Sequence, residues 1–168
     1  MSTLATAARV LHALVLAVWM GGAVAFLVLE RRLEPLLGSA HQAELVLREA
    51  RALLDGFGLL AGPVLLLSLV AGWAPLQAPL RNRGLLVVLQ TVLAGISARY
   101  LVPRQTALMA GLGRRLEDVP STDPQLLELL QLHQIGVGVT AVEAALAGLL
   151  LATAFTRARP ARRFGIEL

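Results

Sequence analysis

Four long runs of apolar residues, broken by very few charges, limit what this chain can become. The first covers residues 4–29 and is interrupted only by Arg9 and His12. The second, 56–80, carries no charge at all. The third, 84–98, is short and needs Tyr100, Leu101 and Val102 beyond Arg99 to reach across a bilayer; the fourth, 135–156, holds Glu143 close to its middle. About 20 predominantly apolar residues cross the hydrocarbon core. The runs therefore predict one all-α domain over 1–168: an integral-membrane four-helix bundle with spans at about 4–29, 56–77, 84–102 and 135–156. The first run is too long for a signal-peptide core and reads as a retained span.

Composition agrees with that reading. Apolar residues make up 57% of the 168 and charged residues 15%, where a soluble domain carries about 25% charge. That excludes a soluble enzyme core. With no cysteine there is no disulfide, thiolate metal site or cysteine nucleophile. All 15 cationic residues are arginine, so no lysine is present for Schiff-base chemistry. The formal net charge of +4 would raise a nucleic-acid partner for a soluble domain. Here the arginines sit at the ends of the runs, where they grip headgroups. The expected partner is the lipid bilayer, with no nucleic acid.

The connections differ in length. Runs two and three are joined by a tight turn around Pro79, Arg81, Asn82 and Arg83, and Trp73 before it suits an interfacial aromatic belt. The other two connections look helical. Ser39 and Gln42 have capping-box spacing, and Leu45, Val46, Glu49, Ala52 and Leu53 continue with helical period into the second span. Pro124, after Thr122 and Asp123, marks a helix start that leads through Leu126, Leu127, Leu130 and His133 into the fourth span. Pro103 should kink or end the third helix at Val102, with helical character regained over 104–116. Two helices are thus expected to project past the membrane on one side. Arginine counts on the two faces are almost equal, seven against eight, and the dense stretch 157–163 tips both termini toward the cytoplasm.

Several residues stand out as candidates. Glu143 is the sharpest, because a carboxylate near the bilayer centre costs about 2.5 kcal/mol or more unless paired, protonated or solvated. Helical angles put it on the same face as Gly136 and Ala147, toward the bundle interior. Arg99 and His12 are the expected holders of its charge, with Gln90, Thr91 and Ser97 as hydrogen-bonding neighbours. Small residues recur at Ala13, Ala17, Gly21 and Ala25, next to Gly22, and again at Gly136, Thr140, Ala144, Gly148 and Ala152. Such stripes let backbones approach closely in lipid, so spans one and four are expected to pack along them. Trp19 lies with His12, Leu16 and Phe26 on the opposite line of the first helix.

His12 and His133 raise haem or copper. Their depths differ by more than roughly 20 Å at 1.5 Å per residue, which excludes joint ligation. Either would have to act singly.

Two stretches carry a resemblance. Leu11-His12 with Trp19-Met20-Gly21-Gly22 is similar to a first-helix signature shared by small bacterial membrane families: copper-resistance D-like proteins, HemJ-type protoporphyrinogen oxidases, and a family of unknown function that includes transmembrane protein 205. Pro103-Arg104-Gln105-Thr106-Ala107-Leu108-Met109, then Arg115-Leu116-Glu117-Asp118, then Leu132-His133, most resembles the last family, over nearly the whole chain. Gly136 and Thr140 stand where that family often has Ser and Asn. The resemblance implies a four-helix protein of the bacterial inner membrane.

The residues support a non-enzymatic accessory or small transport or efflux protein, with Glu143 and His12 as its polar heart. The alternative is a membrane redox protein or oxidase binding haem or copper through one histidine. A third reading is a scaffold that assembles as a homo-oligomer, or with a partner membrane subunit, through the small-residue stripes.

Overall fold

The computed structural model describes residues 3–72 and 78–155. Trp73 and the arginine-rich stretch 157–163 lie outside the described residues. Helix α1 (Thr3–Leu37) runs the length of the molecule, about 52 Å at 1.5 Å per residue. It stops at Gly38, whose φ of 64° places it in the left-handed region and whose N–H donates to Glu34 O at 2.9 Å. The chain then reverses at once into α2 (Ala40–Gly72). Ser39 caps the new helix as expected, its Oγ accepting from Gln42 N at 3.3 Å. Glu117, from the far connection, completes the cap. It accepts from Ser39 Oγ at 2.6 Å and from His41 N at 3.1 Å.

Helix α3 (Ala78–Ile96) passes into a π-helical turn, Ser97–Leu101, and then into α4 (Val102–Leu112). The expected break at Pro103 does not occur. The π turn widens the helix just ahead of the proline, so Pro103 falls in the first turn of α4, where its missing N–H costs least. This continuity joins α3, the π turn and α4 into one rod, Asn82–Leu112, that is long and apolar enough to cross a membrane although its apolar run looked short in the sequence. Helix α4 ends at Gly113, φ 59°. Helix α5 (Pro124–Phe155) starts where Pro124 predicts, with Asp123 Oδ1 accepting from Gln125 N at 2.8 Å.

Around the bundle, α1 packs between α2 and α5, and α3 closes the ring against α2 and α5. Leu16, Trp19, Phe26, Leu65, Val87, Ala94 and Leu150 form the principal core. A second core, Leu101, Leu108, Met109, Leu129 and Leu132, joins α4 to the start of α5 and is the projecting bundle foreseen above. Arg104 ties the same pair of helices through two hydrogen bonds to Glu128, at 2.7 and 3.0 Å.

At the opposite end, Arg9 Nε donates to Gly72 O at 2.7 Å, and Arg83 donates to Thr153 O. Both cations thus cover carbonyls at helix C-termini, where the dipole favours positive charge. The outward faces carry large apolar side chains, among them Val18, Leu60, Leu67, Val70 and Leu85. Such faces suit lipid and not water. Four helices are long and apolar enough to cross a membrane, as fits a multi-pass membrane protein.

One packing expectation is corrected. Ala17, Gly21 and Ala25 are exposed on α1, and nothing lies within 4 Å of a β-carbon built on Gly21. The opposite line, His12, Leu16, Trp19, Ala23 and Phe26, is the buried one. It carries the bulk that fills the core, so the small stripe turns outward. The matching stripe on α5 does face inward: Gly136, Thr140, Glu143 and Ala147 are buried, and Gly148 approaches Met20 Sδ on α1.

Candidate functional site

The inward stripe of α2 runs Leu47, Arg51, Asp55, Gly58, Gly62, Leu65 and Leu69, with the 4-4-3-4-3-4 spacing of one helix face. Two of its members are charged and buried: Arg51 is 3% exposed and Asp55 2%. In the sequence this pair falls in the polar stretch before the second run and reads as a solvated connection. Extending the span's buried face back by one and then two turns would have found both.

Glu143 is 1% exposed and faces the interior, as its helical position predicts. Its expected counter-ions are replaced. Arg99 is exposed, two residues beyond the inward-facing Ser97 and hence on the far side of the helix. His12 is buried, but its Nδ1 is 2.8 Å from Ser68 Oγ. Ser68 is thirteen residues along α2 from Asp55, about 20 Å away. The Ser68 hydroxyl donates to Leu65 O, which leaves His12 Nδ1–H as the donor to Ser68. The cation near Glu143 is Arg51, whose charge also acts on Asp55, Glu44 and Glu30.

The guanidinium of Arg51 sits 4.7 Å from the centroid of the Phe26 ring, a cation–π contact from α1. It fills the space beside Gly136 that a β-carbon would take. Asp55 is held from α3, where Ser97 Oγ donates to its Oδ2 at 2.6 Å. Ser97 opens the π turn, so the widened turn belongs to the site. Gln90 Nε2 donates weakly to the main-chain oxygen of Glu143, at 3.4 Å. Thr140 Oγ1 returns to Gly136 O, and Thr91 Oγ1 to Val87 O. Five residues keep buried side-chain polar atoms without a hydrogen-bond partner among the described residues: both terminal nitrogens of Arg51, Glu143 Oε1, Gln90 Oε1, Trp19 Nε1 and His41 Nδ1. Buried polar atoms of this kind are normally paired. Those of Arg51, Glu143, Gln90 and Trp19 share the bundle interior, whereas His41 lies at the start of α2. Trp19 contributes its ring edge-on to Phe57, 6.3 Å between centroids, and packs on Gly58.

Above this cluster, toward the projecting helices, His133 bridges two carboxylates. Its Nδ1 lies 2.9 Å from Glu44 and its Nε2 3.5 Å from Glu30, so α1, α2 and α5 meet at one imidazole. Arg51 therefore lies between an outer acid pair, Glu30 and Glu44, and an inner pair, Asp55 and Glu143. His12 and His133 do not converge, since their partners Ser68 and Glu44 are 24 residues apart on α2, about 36 Å. Among the described residues no group of three or more His, Cys, Asp or Glu is placed to hold a metal ion.

Of the packing candidates, Gly22 approaches Leu54 on α2 and Gly136 approaches Arg51. Comparison of the chain with known protein families, curated proteins and solved structures finds no match.

Proposed function

We propose that the chain is a non-enzymatic transport or efflux protein of the bacterial inner membrane, its termini cytoplasmic, with Arg51, Asp55 and Glu143 as its working centre. One observation carries the reading: two carboxyl groups and one guanidinium share a compartment in which each residue is no more than 3% exposed. That set is electroneutral with one proton aboard and carries one negative charge without it. Uncompensated charge in such a compartment is costly, so loss of the proton favours entry of another cation. Exchange of a proton for a cation is the cycle that this charge count supports. Ser97 and Phe26 hold Asp55 and Arg51 in place, and Gln90 and Trp19 offer polar atoms along the same interior. The resemblance to the transmembrane protein 205-like family supports only the four-helix inner-membrane setting of this centre.

The test is flux through the full chain reconstituted in liposomes that enclose a pH-sensitive dye, with sodium, potassium or a quaternary ammonium ion supplied outside. Proton movement coupled to one of these cations is expected, and both Asp55→Asn and Glu143→Gln should abolish it while helical circular dichroism is unchanged. Equal flux from wild type and from the double variant would overturn the reading.

A further inference from the structure

Between α1 and α5 an open groove of about 530 Å³ runs down the outside of the bundle, separate from the buried cluster. Its α1 wall is Val24 and Val28, 48% and 56% exposed, followed by Arg31 and Arg32. Offsets of four, seven and eight residues from Val24 place these side chains on one helix face. The wall is therefore apolar until the first apolar run ends, and basic immediately after it. On the α5 side, Val137 and Ala141 continue the apolar surface, the small side chain at 141 leaving depth.

Both arginines are exposed. Glu30, which also lines the groove, is engaged at its edge with His133. Glu34 follows Arg31 by one turn and is not part of the lining. A second groove, of about 280 Å³ between α1 and α2, is lined by Val18, Gly22, Leu53 and Phe57 among others and has no charged residue in it. The two grooves both accommodate hydrocarbon, but only the first offers a charge at headgroup level.

We propose that the α1/α5 groove binds one anionic phospholipid, its acyl chain lying over Val24, Val28 and Ala141 and its phosphate held by Arg31 and Arg32. Guanidinium groups match phosphate through paired N–H donors, and the two arginines follow directly on the apolar wall, where a headgroup meets its acyl chain. The site stands independently of the transport reading.

The experiment is native mass spectrometry of the full chain in neutral detergent, titrated with phosphatidylglycerol and with phosphatidylcholine of identical acyl chains. One phosphatidylglycerol should be retained in about tenfold preference or more. The double variant Arg31→Ala/Arg32→Ala should lose that preference, and Arg31→Lys/Arg32→Lys should keep most of it. Ala141→Leu, which fills the groove, should weaken retention of both lipids, and Arg115→Ala, on the connection before α5, should change nothing. Absence of a preference in the wild type, its survival in the double alanine variant, or equal loss in Arg115→Ala overturns the proposal. So does an equal rise in melting temperature with inorganic phosphate alone, which would assign the arginines to a free anion.

Discussion

The guanidinium of Arg51 occupies the space that a β-carbon on Gly136 would need. Helix α5 is therefore permitted to touch a buried cation only because residue 136 has no side chain. Gly136→Ala must displace either the arginine or the helix, and overpacking of this kind costs about 1–3 kcal/mol. Gly138→Ala, two residues on and open to its surroundings, should be neutral or slightly stabilising, because alanine is the better helix former. Denaturant unfolding of the two variants in detergent separates the cases.

Arg51→Ala removes the cation from between Asp55 and Glu143. Breaking a buried pair from one side is expected to cost about 3–5 kcal/mol, because the carboxylates are left without compensation. Adding Asp55→Asn should recover part of that loss, so the double variant should be more stable than the sum of the single effects implies. A double-mutant cycle on thermal unfolding measures the coupling, and strict additivity would show that the two side chains do not act together.

The sequence made some of this arrangement legible. Glu143 faces inward with Gly136 and Thr140 because helical angles alone decide it, and Ser39, Asp123 and Pro124 announce the helix starts through local hydrogen bonds. Arg51 and Asp55 escaped notice because charges between two apolar runs look like an ordinary solvated face. Their burial depends on α5 and on the π turn coming together around them, which no local pattern encodes. The small-residue stripe of α1 misled for a related reason: it marks where another backbone can come close, and says nothing of which side the bulky residues will claim.

Glycines on α2 should divide sharply from Gly21 when a methyl is added. A β-carbon at Gly58 would meet the Trp19 ring at 2.7 Å and Ala94 Cβ at 2.9 Å, and one at Gly62 would collide with Thr91. Gly58→Ala and Gly62→Ala should each lower stability by about 1–3 kcal/mol. Gly21→Ala meets nothing and should leave the melting temperature unchanged or slightly raised. A common shift across all three in a thermal melt would contradict the packing described for α1 and α2.

Glu117 provides a pH signature outside the membrane. Its carboxylate accepts from Ser39 first, and from main-chain N–H groups including that of His41, and these bonds lower its pKa from 4.5 to about 2. A carboxyl depressed in the folded state favours folding fully above about pH 4.5 and progressively loses that contribution as the pH falls toward 2. Hydrogen exchange at the first turn of α2 should therefore quicken across this window, after correction for intrinsic rates. Glu117→Gln should exchange at the faster level throughout and lack the transition.

The π turn at Ser97–Leu101 has a wider meaning for how the rod through α3 and α4 is used. An extra residue in one turn resets the angular phase of everything after it by about 100°. Upstream, Val87, Gln90, Ala94 and Ser97 are aimed at the membrane bundle; downstream, Leu101, Gln105, Leu108 and Met109 are the buried positions that serve the projecting one. The turn works as a clutch between two packing problems, each free to choose its own register on one continuous helix. Removing a single residue there would leave the rod intact and point one of its two halves the wrong way.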